Sequence, residues 1–342
     1  MMRSLFSAVS GLKNNQTAMD VIGNNISNVN TTGFKASRTL FQDIFSQTLV
    51  SATAPTQTTG GRNPQQVGLG TTIAAISMDM TEGSTQSTAN PLDFAISGEG
   101  FFVVDKDGVI AKFAAQAAED AGGAGDEEDT VTTLTPDMFV YTRAGALTLD
   151  ADGYLVTQNG HRLVGVLQGF VQEEVDGNTT YVSVLDKTPE TMTLSYIKMS
   201  GEVEVYELDE NGNPVMDGDN FVTKTVSVSN YKIDENGYIT AMDANGKTYT
   251  LGRLILGTFS NSAGVEKIGS SYYRQSQNSG TADLAFAGEG RGILKSGALE
   301  MSNVDLATEL TNMIITQRAY QANSRVITTS DTLLEELINL KR

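Results

Sequence analysis

Among residues able to do chemistry, three acidic strings come first: Asp105-Lys-Asp107-Gly, Asp150-Ala-Asp152-Gly and Asp234-Glu-Asn236-Gly. Alternating oxygen ligands before a glycine can open a calcium loop, but an EF-hand also needs a closing glutamate. None of the three is completed in that way, and Asp209-Glu-Asn211-Gly-Asn213 runs into Pro214. Asp or Asn before Gly is ordinary hairpin-turn chemistry. Gly98-Glu-Gly100 and Gly288-Glu-Gly290 lack the Lys-Ser/Thr of a phosphate loop. His161 is the single histidine and cysteine is absent, which leaves no set of His or Cys ligands for zinc and no thiolate. Beside the Asn159-Gly160 turn, His161 reads as a surface residue. No pair of carboxylates stands out for hydrolysis. The expectation is no catalytic residue, no metal and no cofactor.

Composition narrows the partners. With 23 basic and 41 acidic residues the chain carries a net charge of −18 and a pI near 4.4, opposite to the basic footprint of a nucleic-acid binder. The same balance disfavours unassisted docking on anionic lipid. Nothing points to a small-molecule substrate. No run approaches the ~18 apolar residues of a membrane helix. The start holds Arg3 but no sustained apolar stretch or small-residue cleavage site, so export without a cleaved signal peptide is expected.

The elements that must do the work lie at the two ends. Leu5, Val9, Leu12, Met19, Ile22 and Ile26 recur at helical spacing near the start. Leu299, Leu306, Leu310, Met313, Tyr320, Ile327, Leu334 and Ile338 do so near the finish. Helices with one apolar stripe bury it against another helix, in the same chain or in a neighbouring copy. Polar residues interrupt both stripes: Gln16 in the first, and Asn303, Gln317, Ser324 and Asp331 in the second. Two readings stay open. Such residues can fix register, with Gln317, Arg318 and Asn323 hydrogen-bonding across subunits, or they face solvent or a channel lumen.

Between the ends the chain reads as β structure. The expected fold class is α+β: terminal helices pairing into a coiled-coil tube domain, and a mostly β body of two antiparallel domains, the outer inserted in the inner. Residues 1–33 with 298–342 form the helical domain, 34–70 a linker or extended arm, 71–165 with 229–297 the inner β domain, and 166–228 the outer one. The insertion is suggested by an internal echo. Asp150-Ala-Asp-Gly153-Tyr-Leu and Asp234-Glu-Asn-Gly237-Tyr-Ile read as two similar hairpins bracketing 166–228. Ser97-Gly98-Glu99-Gly100 reads as a hairpin or tight bend between Phe94–Ile96 and Phe101–Val104. The low-complexity stretch Ala114–Asp129 reads as a surface loop.

The most specific strings are Ser10-Gly11-Leu12, Val21-Ile-Gly-Asn-Asn25-Ile-Ser-Asn-Val-Asn30-Thr-Thr-Gly33-Phe-Lys35, Gly297-Ala-Leu-Glu300-Met-Ser-Asn303-Val-Asp305 and Gln317-Arg-Ala-Tyr320-Gln-Ala-Asn323. These closely resemble the signature ends of the bacterial flagellar rod and hook family of axial proteins. Leu92–Phe102 and Thr142–Asp150 look like that family's core motifs. The resemblance implies that the terminal helices of neighbouring subunits pack into an inner tube around an export channel, with sheet domains outside. It also implies export through the flagellar type III secretion apparatus to an extracellular flagellar location. The implied partners are further copies of the chain, the distal rod, and the hook cap and hook–filament junction proteins. The 166–228 insert and the closing strings Val326–Asp331 and Leu337–Arg342 favour a hook subunit, while the long stretch at 46–70 resembles distal rods. From another class, a secreted β-rich enzyme or adhesin would be a stable, active monomer. The residues expected at the subunit interface are Leu5, Val9, Leu12, Met19, Ile22, Ile26, Leu306, Leu310, Met313, Gln317, Arg318, Tyr320, Asn323, Ile327, Leu334 and Ile338.

Overall fold

The computed structural model describes residues 2–55, 60–112, 136–175, 178–186, 194–199, 201–206, 214–217, 220–243, 246–288 and 290–340. The chain divides into two compact units. One comprises Met1–Asn30, Lys35–Thr81 and Asn303–Arg342; the other comprises Thr31–Phe34 and Glu82–Ser302.

The first unit holds two helices, α1 (Met2–Ser27) and α2 (Leu306–Leu340). Asp305 caps the second: its Oδ1 accepts the Ala307 N–H at 3.1 Å and its Oδ2 lies 2.5 Å from the Thr308 hydroxyl. These bonds hold the Asp305 carboxyl below its ordinary pKa, the Thr308 hydroxyl contributing most. Two antiparallel ribbons complete the unit, Ser37–Asp43 with Thr71–Met78 and Ser46–Val50 with Gln65–Gly68. The stretch 46–70, expected as linker, is therefore partly paired strand, and 71–78 belongs with the helices rather than with the sheet body. Composition could not show this, because backbone pairing holds these strands while most of their side chains stay exposed.

The second unit is built on one antiparallel sheet of thirteen strands. Its longest member near the centre, Thr248–Thr258, pairs with Tyr238–Asp243, Arg162–Leu167, Asp283–Phe286 and the start of Phe101–Asp105. The core gathers on this frame: Phe94, Ile96, Phe102, Val104, Leu155, Ile239, Leu254 and Leu256 are all fully buried. Each such side chain stabilises the fold by about 1.5–3 kcal/mol relative to exposure. Both echo hairpins form, and they match closely: Gly153 N–H bonds Asp150 O and Gly237 N–H bonds Asp234 O, both at 2.9 Å, with φ of 83° and 82°. Positive φ is why glycine closes each turn. Ser97–Gly100 is a bend, not a hairpin, since Phe94–Ser97 pairs with Ile293–Ser296 and Phe101–Asp105 pairs elsewhere.

The region 166–228 differs from the expected inserted domain. Its strand Leu194–Tyr196 pairs with Arg162–Leu167, and Gly201–Tyr206 pairs with Thr223–Ile233, so both extend the same sheet. Turn signals mark where strands end but carry no information about which strand becomes the neighbour. The stretch Ala114–Asp129, expected as a surface loop, lies wholly outside the described residues.

Candidate polymerisation site: the terminal helices

The helices α1 and α2 pack antiparallel, with Asn25 meeting Glu309 and Gly11 meeting Asn323. On α1 the buried face is Ala8, Ala18, Ile22 and Asn25, with Gly11 in register between them. A Cβ on Gly11 would come within 2.7 Å of Asn323 Nδ2, so the glycine sets how closely the backbones approach. On α2, partly buried Glu309, Met313, Thr316, Tyr320, Asn323, Ile327 and Leu334, with buried Ser330, follow one another in steps of three and four. That is a heptad seam, but one made largely of small and polar side chains.

At one end of the seam, amides replace apolar packing. Asn25, 1% exposed, donates to Ser37 O at 2.8 Å and to Glu309 Oε1 at 3.2 Å, and accepts the Ser37 N–H at 3.0 Å. Asn303 accepts the Ala36 N–H at 2.8 Å and donates to Asp79 O at 2.9 Å and to Thr81. The fully buried Lys35 donates to Thr81 O at 2.6 Å. Asp79 accepts the Thr81 N–H at 3.0 Å, and that bond leads the effects holding its pKa below the ordinary value. The signature strings of the two chain ends thus meet where helix gives way to strand.

The expected interface residues divide between two faces. Leu5, Leu12, Met19, Ile22, Ile26, Met313, Tyr320, Asn323, Ile327 and Leu334 are buried or partly buried. Val9, Leu306, Leu310, Gln317, Arg318 and Ile338 are exposed. Asn323 faces Gly11 of its own chain, and Arg318 reaches Gln321 on its own helix at 3.4 Å. Sequence reasoning missed Ala8, Gly11, Ala18, Thr316 and Ser330, because it followed large apolar residues; the heptad spacing of small residues was the available signal. It also missed the outward Phe6, Ile314, Ile315, Val326, Leu333, Leu337 and Leu340, which are 41–82% exposed. At ~1.5 Å per residue, α1 is about 39 Å long and α2 about 52 Å, so the end of α2 has no α1 partner.

Family models match at both ends and in the middle. "Flagella basal body rod protein" covers residues 5–35, "Flagellar hook protein FlgE/F/G D1 domain" 131–241, and "Flagellar basal body rod FlgEFG protein C-terminal" 295–340. The whole chain is 38% identical to the whole of the "Flagellar basal-body rod protein FlgG" of Bacillus subtilis (strain 168). This chain belongs to the flagellar rod and hook protein family. It is also 32% and 31% identical to the "Flagellar hook protein FlgE" of Borreliella burgdorferi and of Treponema pallidum, covering all of each protein. Those alignments span 474 and 463 positions against 342 residues here, so the hook relatives carry long insertions. As a member of this family the chain is an axial structural component of the bacterial flagellum, and the fold is α+β with terminal helices and a mostly β body. Among the described residues, no helix is long and apolar enough to cross a membrane.

Proposed function

We propose that this chain is a subunit of the flagellar hook, polymerising into a hollow flexible tube that transmits torque from rod to filament, without catalysis. The observation carrying the assembly is the set of apolar residues left outward on α2. Leu306, Leu310, Ile314, Ile315, Val326, Leu333, Leu337, Ile338 and Leu340 are all more than 40% exposed. Covering them gives a gross gain of about 10 kcal/mol before the cost of association. Copies of the same chain are the proposed cover, with the sixteen interface residues divided between an intrachain seam and an intersubunit face. Full-length similarity to named hook proteins supports the hook reading. The proposed partners are the distal rod, the hook cap, the hook–filament junction proteins and the type III export apparatus, with final location outside the cell.

A second reading, a distal rod subunit, is favoured by one observation: the relative named as rod protein aligns with this chain over 344 positions, almost without insertion. Immunogold labelling of purified hook–basal bodies separates the two. Gold along the curved segment beyond the outer rings supports a hook; gold confined to the straight rod overturns it.

A further inference from the structure

The chain enters or leaves the sheet unit at Thr31–Phe34, at Glu82 and at Ser302. Inside that unit all three segments converge on one residue. The main-chain carbonyl of Glu300 accepts the Gly33 N–H at 2.8 Å, and its Oε1 accepts the Gly83 N–H at 3.1 Å. Its Oε2 lies 3.3 Å from Arg143 Nε, with the two side chains 0% and 3% exposed. Arg143 in turn donates through Nη2 to the carbonyls of Gly98 and Ile96, and its guanidinium lies 5.8 Å from the Phe101 ring centre. Next to Glu300, the Met301 N–H bonds Ser84 O at 2.9 Å, continuing the pairing of Ala298–Glu300 with Thr85–Ser87.

Two glycines make the convergence possible. Gly33 has φ +67°, and a Cβ there would fall 2.7 Å from the Arg143 carbonyl carbon. A Cβ on Gly83 would overlap the Met301 carbonyl oxygen. A buried ion pair is a poor device for stability alone, because desolvation offsets most of the Coulomb gain. It does fix geometry, and the geometry fixed here is the joining of the three segments.

We propose that Glu300 is a clasp that makes the three segments bear load together. Pull arriving along any one of them is passed through Glu300 to the other two and, through Arg143, to the sheet, so no single strand is peeled alone. Glu300 is a positioning residue in this role, and the need for it rests on the proposed torque-bearing function.

The test uses the full chain and three variants, Glu300→Ala, Gly33→Ala and Glu300→Gln. E300A removes the Gly83 acceptor and the Arg143 ion pair but keeps the carbonyl that holds Gly33. In hydrogen exchange it should raise exchange about tenfold or more in 82–87 and 298–302 together, and G33A should raise it in 31–34 as well. Protection in 251–258 should stay at the wild-type level. E300Q, which keeps an acceptor for Gly83, should fall between. Exchange that rises in one segment alone, or equally throughout the unit, overturns the clasp. A second readout depends on load: cells with E300A, or E300Q if E300A does not assemble, should shed flagella several-fold more in viscous medium, with hook length unchanged. Shedding equal to wild type overturns load sharing. Gold labelling absent from the hook would sink the hook reading, while the exchange result would still decide whether Glu300 joins the segments.

Discussion

Replacing Asn25 by Asp changes almost no volume but reverses the hydrogen-bonding sense of one group. The Nδ2 of Asn25 donates at 2.8 Å to Ser37 O and at 3.2 Å to Glu309 Oε1, from a site only 1% exposed. An oxygen there faces a carbonyl and a carboxylate. Two unit charges ~4 Å apart repel by about 4 kcal/mol at an effective dielectric of ~20. The lost hydrogen bonds add about 1 kcal/mol each. Protonating one carboxyl at neutral pH relieves the repulsion but itself costs about 4 kcal/mol. The expected loss at pH 7 is therefore about 5–6 kcal/mol, confined to the helical unit. Urea unfolding followed by the far-ultraviolet helical signal, with proteolysis at Lys13 and Arg318, measures it. A stability within about 1 kcal/mol of wild type, or a wild-type chain lacking that helical signal, would refute the amide-locked helix pair.

Other consequences follow from the same geometry. Burial, and for Tyr196 its bond to Asp105, pushes the Tyr196 and Tyr273 hydroxyls up to about 12. The folded state holds these protons more tightly than the unfolded one, so the sheet unit should lose stability as pH rises from 10 to 12, in a pH series of thermal unfolding. Asp79 and Asp305 have lowered folded pKa values. Their contribution is present above the unfolded value near 3.8 and is lost as pH falls through the folded one, so helical signal should decline in acid below that value while aromatic signal from the sheet unit persists. Leu337→Ser with Leu340→Ser, at side chains 50% and 82% exposed, should change monomer stability by less than about 0.5 kcal/mol but slow polymerisation measured by sedimentation.

Much of this was legible from residue spacing. The terminal helices, the two Asp-x-Asp/Asn-Gly-Tyr hairpins and the bend at Ser97–Gly100 all have local causes. Two features did not. The pairing of 46–50 with 65–68 rests on backbone bonds between polar, exposed strands, where side-chain pattern is silent. The strands between 194 and 206 joined the main sheet because the partners of an antiparallel strand are set by distant edges. The candidate site shows a third kind of limit. Leu310 and Met313 sit three apart in one apolar stripe, yet one points outward and the other into the seam. The signature strings around Asn25 and Asn303 form polar junctions whose partners lie far away in sequence.

Electron microscopy of basal bodies from a strain lacking this gene tests the central claim most directly. Complete rods bearing neither hook nor filament are the predicted result. Rods that stop short would make the chain a rod subunit, and normal flagella would contradict an axial role altogether.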